Sequence, residues 1–230
     1  SLSNSFQLLY TPKNGLIFNG TISNGFRNPN TDDIGKIFSK NNVSVIVPNN
    51  QLSPEKSLNI ELGLQLKIKR LINLQIQVFQ TQITDAIERR EATLNGLDSV
   101  IYDGEIMKVM MNTNIGRAII KGINFSYQLT INNQFSHNTI INVIEGKAAN
   151  NLPLAHIPPA NIISSIKYSY RQQSIDLNAH YNGLKRVEDY DLAGVDNLEE
   201  ATIIGTPSWY TINLKYQAKI DKNLMFIAGI

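Results

Sequence analysis

Three histidines and one acidic stretch are the residues in this sequence that could do metal or acid–base chemistry. His137, His156 and His180 lie far apart along the chain, and isolated imidazoles with no carboxylate cluster beside them do not make a metal site. His137 follows a short polar turn, and His180 falls on the polar side of an alternating run. Rim packing and polar-face lining are their ordinary roles. His156 precedes Ile157-Pro158-Pro159 in a loop, where loop packing is the ordinary role and ligation the sharper one. The stretch "DYDLAGVDNLEE" puts Asp189, Asp191, Gly194 and Glu200 at the first, third, sixth and twelfth positions of a calcium loop. Ala193 stands at the fifth and offers no side-chain oxygen, so an acidic, solvated loop is the expectation. No nucleophile–base pair or paired-carboxylate signature occurs, and "EGKAAN" lacks the upstream glycine of a phosphate loop. Nothing in the sequence supports an enzyme, a resident metal or a cofactor.

The composition is equally uncatalytic. Charged residues make up 17% and apolar residues 42%, with a net charge of +2 and a pI near 8.7. No basic block marks a nucleic-acid partner. Cysteine is absent, which removes disulfides, thiol catalysis and cysteine–zinc sites. No apolar run approaches the ~20 residues of a membrane helix. That leaves a membrane barrel open, since its strands alternate. The chain starts at Ser1 rather than Met and stops inside an alternating run, so it reads as a piece of a longer protein.

The elements that must position any site are strands. In "SLNIELGLQLKIKR" every second residue from Leu58 to Ile68 is Leu or Ile, and Asn59, Glu61, Gln65 and Lys67 fall between them. Similar runs cover 72–78, 123–131, 175–181 and 210–218, with a phase slip near Phe79 that a bulge would explain. Short connections at 11–15, 69–72, 131–134, 171–174 and 220–223 alternate with long ones at 28–56, 91–112, 147–158 and 188–207. The pattern predicts an all-β antiparallel meander of about ten long strands, with tight turns on one rim and long loops on the other. A soluble propeller or solenoid fits less well because no internal repeat is found. Tyr10, Phe135, Tyr168, Tyr170 and Tyr216 lie near the short-turn ends, where a barrel carries an aromatic girdle.

Particular motifs then carry a resemblance. "NGFRNPNTDDIGKIF" followed by "NNQLSPEKSLNIELGL" resembles the second barrel half of TonB-dependent outer-membrane receptors. The matching residues are Gly25, Phe26, Arg27 and Pro29, then Leu52, Pro54 and Glu55, then Asn59, Glu61 and Gly63. "NIGRAIIKGINFSYQ" is similar to a family strand through Asn114, Gly116, Ala118 and Gly122, and Pro158-Pro159 to another strand's start. The resemblance implies that residues 1–230 are a partial barrel domain, strands twelve to twenty-one of the family's 22, with the plug domain, the first barrel half and the last strand outside the chain. Haem receptors of this class carry a Phe-Arg-Ala-Pro box and an Asn-Pro-Asn-Leu box with a histidine between. Here "FRNP" and "NNQL" depart from both, and no histidine separates them.

What the resemblance implies about function is uptake across the bacterial outer membrane. A ferric siderophore or haem would be the cargo, energised by the TonB complex through the plug, with lipid around the wall. The long loops would form a vestibule with Arg27, Asp32, Asp33, Tyr102, His156 and Tyr190 as candidate contacts. Arg27 and Glu61 are expected at polar, lumen-facing positions near the outer rim, in a structural role rather than as ligand contacts. The competing reading is a structural or docking barrel, porin-like and without active transport.

Overall fold

A computed structural model describes residues 2–40, 43–148, 151–191 and 195–230. The chain opens with β1 (Asn4–Lys13) and β2 (Leu16–Arg27), then a connection holding a short helix α1 (Thr31–Gly35), β3 (Phe38–Lys40) and β4 (Ser44–Val47). The long pair β5 (Glu55–Ile68) and β6 (Ile72–Thr84) follows. A second elaborate connection carries β7 (Ile87–Glu91), β8 (Ser99–Tyr102) and β9 (Glu105–Asn114). The meander resumes through β10 (Arg117–Thr130), β11 (Phe135–Ala148), β12 (Asn161–Tyr170) and β13 (Gln173–Asn182). Last come the short β14 (Lys185–Arg186) and β15 (Gly205–Thr206), then β16 (Trp209–Lys219) and β17 (Met225–Gly229).

Ten of these strands form one antiparallel sheet in the order β1-β2-β5-β6-β10-β11-β12-β13-β16-β17, with β1 and β17 as its open edges. Each neighbour in the sheet is the next long strand in the chain, so short and long connections fall on opposite rims as the spacing predicts. The amphipathicity is inverted relative to a water-soluble sheet. On β13, Ile175, Leu177 and Tyr181 are exposed while Ser174, Asp176, Asn178 and His180 are half-buried. On β5, Leu58, Ile60 and Leu62 are exposed while Asn59 and Glu61 are half-buried. A surface that turns its aliphatic residues outward along strand after strand is stable only against lipid.

Two expectations need correction. There is no bulge near Phe79: pairing runs unbroken from Lys56↔Thr84 to Ile68↔Ile72 and from Arg117↔Thr84 to Leu129↔Ile72. Phe79 is a lumen-facing residue beside Gly122, and the apolar face of β6 gives way to Gln80 and Gln82 instead. The connections at 28–56 and 91–112 also contain strands of their own. β9 pairs in parallel with β4, antiparallel with β7 and, toward its start, with β8, and β3 caps β4, making a second sheet beyond the outer rim.

That second sheet holds the largest fully buried side chains. Val45, Ile46, Val47, Met107, Val109 and Met110 are buried there. A smaller knot of Ala86, Ala118, Ala148 and Leu154, ringed by Ile83, Ile115, Ile120 and Ile157, seals the rim below it. The wall needs no such core because its outer face is made for lipid.

Candidate functional site

The rim is where the sequence motifs converge. Arg27 ends β2 and Glu55 begins β5, directly paired across the two strands. The Arg27 Nε donates to Glu55 Oε2 at 2.5 Å, and its Nη1 donates to Asp33 Oδ2 at 2.5 Å. Asp33 also accepts from the Asn30 N–H, while the Asn30 side chain accepts from the Asp33 N–H, a reciprocal cap that starts α1. The other Glu55 oxygen accepts from the Ile87 N–H at 2.6 Å. One guanidinium and one carboxylate thus fasten α1 and β7 to the wall. Glu61 is not part of this arrangement and does not lie near the rim as expected. It lies six residues along β5, about 20 Å lower, where the side-chain amides of Asn59 and Gln77 donate to it.

Asparagines complete the clasp between the two connections. Asn114 donates to the backbone carbonyls of Ser53 and Asp85 and accepts from the Ser53 N–H. Asn49 donates to the carbonyl of Asn112, and Asn112 donates to that of Asp33.

Above the clasp lies a cavity of about 350 Å³. Asp32, Asp33 and Lys36 bound it on the α1 side, Glu88 and Arg89 on β7, and His156 and Asp191 from the later loops. Three candidate contacts, Asp32, Asp33 and His156, therefore meet around one space. Arg27 stands behind Asp33. Tyr190 is buried beside Asp191, its hydroxyl hydrogen-bonded to Thr206, and does not line the cavity. Tyr102 sits apart, opposite Glu105 at the end of the β8–β9 hairpin. A larger cavity of about 520 Å³ lies beside β11 under Pro153 and Pro158 and contains none of the six.

Most acids around the smaller cavity are already engaged. Asp33 is held by Arg27, Glu88 by Arg90, and Asp191 accepts from the backbone N–H groups of Val195 and Asp196. Arg89 is different. Its Nε has no hydrogen-bond partner among the described residues and is shut off from solvent. Burial lowers its pKa against the pull of Asp191, and burial raises that of Glu88 against the pull of Arg90. Glu88, Arg89 and Lys36 were not singled out from sequence, and Asp191 only as a position of the calcium-loop match. The only signal for Glu88 and Arg89 is the charge run "IERRE" on a segment that alternation did not mark as strand.

The His156 backbone N–H donates to Asp196 Oδ1 at 2.8 Å, and Lys185 Nζ donates to Oδ2 at 2.7 Å. Burial pushes the Asp196 carboxyl up, but these two hydrogen bonds and the nearby positive charges bring it below the ordinary range. This carboxylate pins loop 149–160 to loop 183–208. The acidic stretch offers no calcium cage among the described residues, since no three or more His, Asp or Glu converge. Ala193 and Gly194 lie outside the described residues. His180 lines the lumen against Asn161 and Trp209, and His137 faces outward, bonded to Thr139 and Ser164.

Outward aliphatics, a half-buried polar lumen and loops gathered on one rim define a transmembrane β-barrel wall. The family model described as TonB dependent receptor-like, beta-barrel, matches residues 1–230, and the chain belongs to that family. It is 24% identical over 241 residues to hemoglobin and hemoglobin-haptoglobin-binding protein A of Haemophilus influenzae, covering 99% of this chain and 22% of that protein. A probable hemoglobin and hemoglobin-haptoglobin-binding protein 4 of the same species is 25% identical over 198 residues, covering 81% of this chain and 20% of that protein. The chain thus spans about a fifth of these relatives. The fold is similar to the ferric enterobactin receptor of Pseudomonas aeruginosa bound to enterobactin, with TM-score 0.78, 16% identity, and 99% of this chain against 34% of that one. It is also similar to the siderophore receptor PirA from Acinetobacter baumannii, with TM-score 0.73, 18% identity, and 99% against 36%.

Proposed function

We propose that this chain is part of an outer-membrane uptake receptor that takes in an anionic iron chelate, haem or a ferric siderophore. Uptake is energised by TonB acting through a plug domain outside these residues. The family and the printed functions of both groups of relatives support this reading. The observation that carries it is Arg89, a half-buried guanidinium whose Nε has no hydrogen-bond partner among the described residues, bordering a cavity on the loop side where Asp33 and Glu88 are already paired. A planar guanidinium suits a carboxylate or similar planar anion, which it can grip with two parallel hydrogen bonds. Arg89 accordingly contacts the cargo's acidic group, with His156 and Asp32 on the cavity's margin.

The full-length receptor is titrated with haemin and with haemin dimethyl ester, whose acids are masked. Wild type should bind haemin more tightly than the ester. Arg89→Gln should weaken haemin about tenfold or more and leave the ester unchanged, erasing the preference. Equal loss for both probes would remove Arg89 from the contact. Iron-limited growth on haemin or ferric siderophores that persists without TonB would sink the active-transport reading in favour of a passive pore.

A further inference from the structure

The outward face of the wall carries a second chemistry, unrelated to the loops. Reading across β5, β6, β10 and β11, the register sets residues of like facing side by side. Leu62, Val78, Ile123 and Val143 make one aliphatic row on the lipid face. Toward the outer rim the next row is Gln80, Lys121 and Glu145, the one after is Gln82, Ile119 and Lys147, and the outermost is Lys56, Thr84 and Arg117. All follow the parity of the exposed aliphatics, so they face lipid rather than lumen. Four cations lie within about 15 Å across these strands.

A single carboxylate stands among them. Glu145 accepts from Lys121 and Lys147 at 3.0 Å each, which leaves Lys56 and Arg117 exposed and with no ion pair among the described residues. The patch adjoins the shallow cavity of about 260 Å³ formed by Ile119, Lys121, Glu145, Lys147, Ala148 and Asn151. On the outer ends of β13 and β16 the wall carries aromatics instead: Tyr181 and Tyr210 pair there, with no cation beside them on those two strands. The cationic block is therefore local. A cation facing lipid is costly at the bilayer middle and nearly free at the interface, and it becomes favourable only where an anion meets it.

We infer that this face binds a phosphate-bearing lipid of the outer leaflet. Its phosphates lie among Arg117, Lys121, Lys147 and Lys56, and its acyl chains lie against the Leu62–Val78–Ile123–Val143 row. Charge and continuity decide the occupant. A soluble anion would meet the cations but leave the aliphatic row beneath them uncovered, and a neutral lipid would cover that row but leave the cations unmatched. The inference goes beyond cargo uptake and relies on the outer-membrane reading only for the choice of leaflet.

The experiment uses the purified full-length receptor in mixed micelles with no iron chelate present, so its failure and the failure of the uptake reading are separate results. Bisphosphorylated lipid A is the probe, with its dephosphorylated form and inorganic phosphate as comparison arms. Wild type should retain the bisphosphorylated lipid in preference to both. The triple variant Arg117→Gln, Lys121→Gln, Lys147→Gln should weaken it about a hundredfold. Glu145→Gln, which removes the lone anion and frees both lysines, should tighten it. A merely structural ion pair would not produce that gain. The proposal is overturned if the triple variant binds like wild type, if the dephosphorylated lipid binds equally well, or if inorganic phosphate displaces the lipid at matched concentration.

Discussion

Gly122 on β10 pairs directly with Phe79 on β6, and a methyl group on that glycine would sit 2.8 Å from the Phe79 ring. It would also sit 2.7 Å from the Val143 carbonyl oxygen on the following strand. The only residue that lets the ring fold flat into the lumen here is one without a side chain. Gly122→Leu is expected to destabilise the folded barrel by about 1–3 kcal/mol through overpacking. Phe79→Ala should recover part of that loss but not all, because the Val143 contact is backbone. Urea unfolding of the full-length receptor in vesicles measures both, and a double variant as stable as wild type would refute the backbone part.

The rim pair is unequal. Arg27 is nearly half exposed, and exposed ion pairs contribute at most about 1 kcal/mol. Glu55 also accepts the Ile87 N–H, so losing its carboxylate strands a backbone donor as well. Glu55→Ala should therefore cost about 1–3 kcal/mol and exceed Arg27→Ala. Hydrogen exchange should quicken at 87–91 in Glu55→Ala and much less in Arg27→Ala. Equal quickening would mean that Arg27 holds the carboxylate in place.

These two cases mark what alternation does and does not reveal. Glu55 and Glu61 have the same parity on β5, so period two puts both on the lumen face. It says nothing of their height, and only the register with β2 shows that Glu55 meets Arg27. The ten wall strands were legible because each is long and two-faced. The outer sheet was not, because β4 is the four-residue run "SVIV", with Val45 to Val47 buried, and it pairs in parallel with β9 more than sixty residues away. A short, wholly apolar strand carries no period. The five-residue helix α1 is too short for one, and its cap is the only mark. The cavity was half legible for the same reason. Asp32, Asp33 and His156 were reached as polar loop residues, whereas Arg89 sits on β7, whose partner is β9.

Asn114 closes the two early connections on each other with one amide. Its replacement by Ala leaves two carbonyls and one N–H without their partner, at an expected cost of about 1–3 kcal/mol if they stay dry. Asn114→Asp keeps an acceptor for the Ser53 N–H but turns negative charge toward the Ser53 and Asp85 carbonyls. It should therefore be at least as damaging despite its matching shape. Exchange at 50–54 and 84–86 reads the effect, and an Asp variant that behaves like wild type would show that the two donated bonds carry nothing.

Asp196 gives the later loops a pH dependence of definite sign. Its folded pKa lies below its ordinary value, so the folded state binds its proton less readily than the unfolded chain. The stabilisation is fully present above the unfolded value of about 3.9 and drains away as pH falls from there through the folded value. Protection of the His156 amide, which donates to this carboxylate, should hold from neutral pH down to about 4 and weaken below it. Asp196→Asn should remove that acid dependence and lower protection at neutral pH, since the amide lacks the charge that Lys185 meets at 2.7 Å. Protection that stays level through about pH 4 and below would show that the Asp196 charge does not hold this amide.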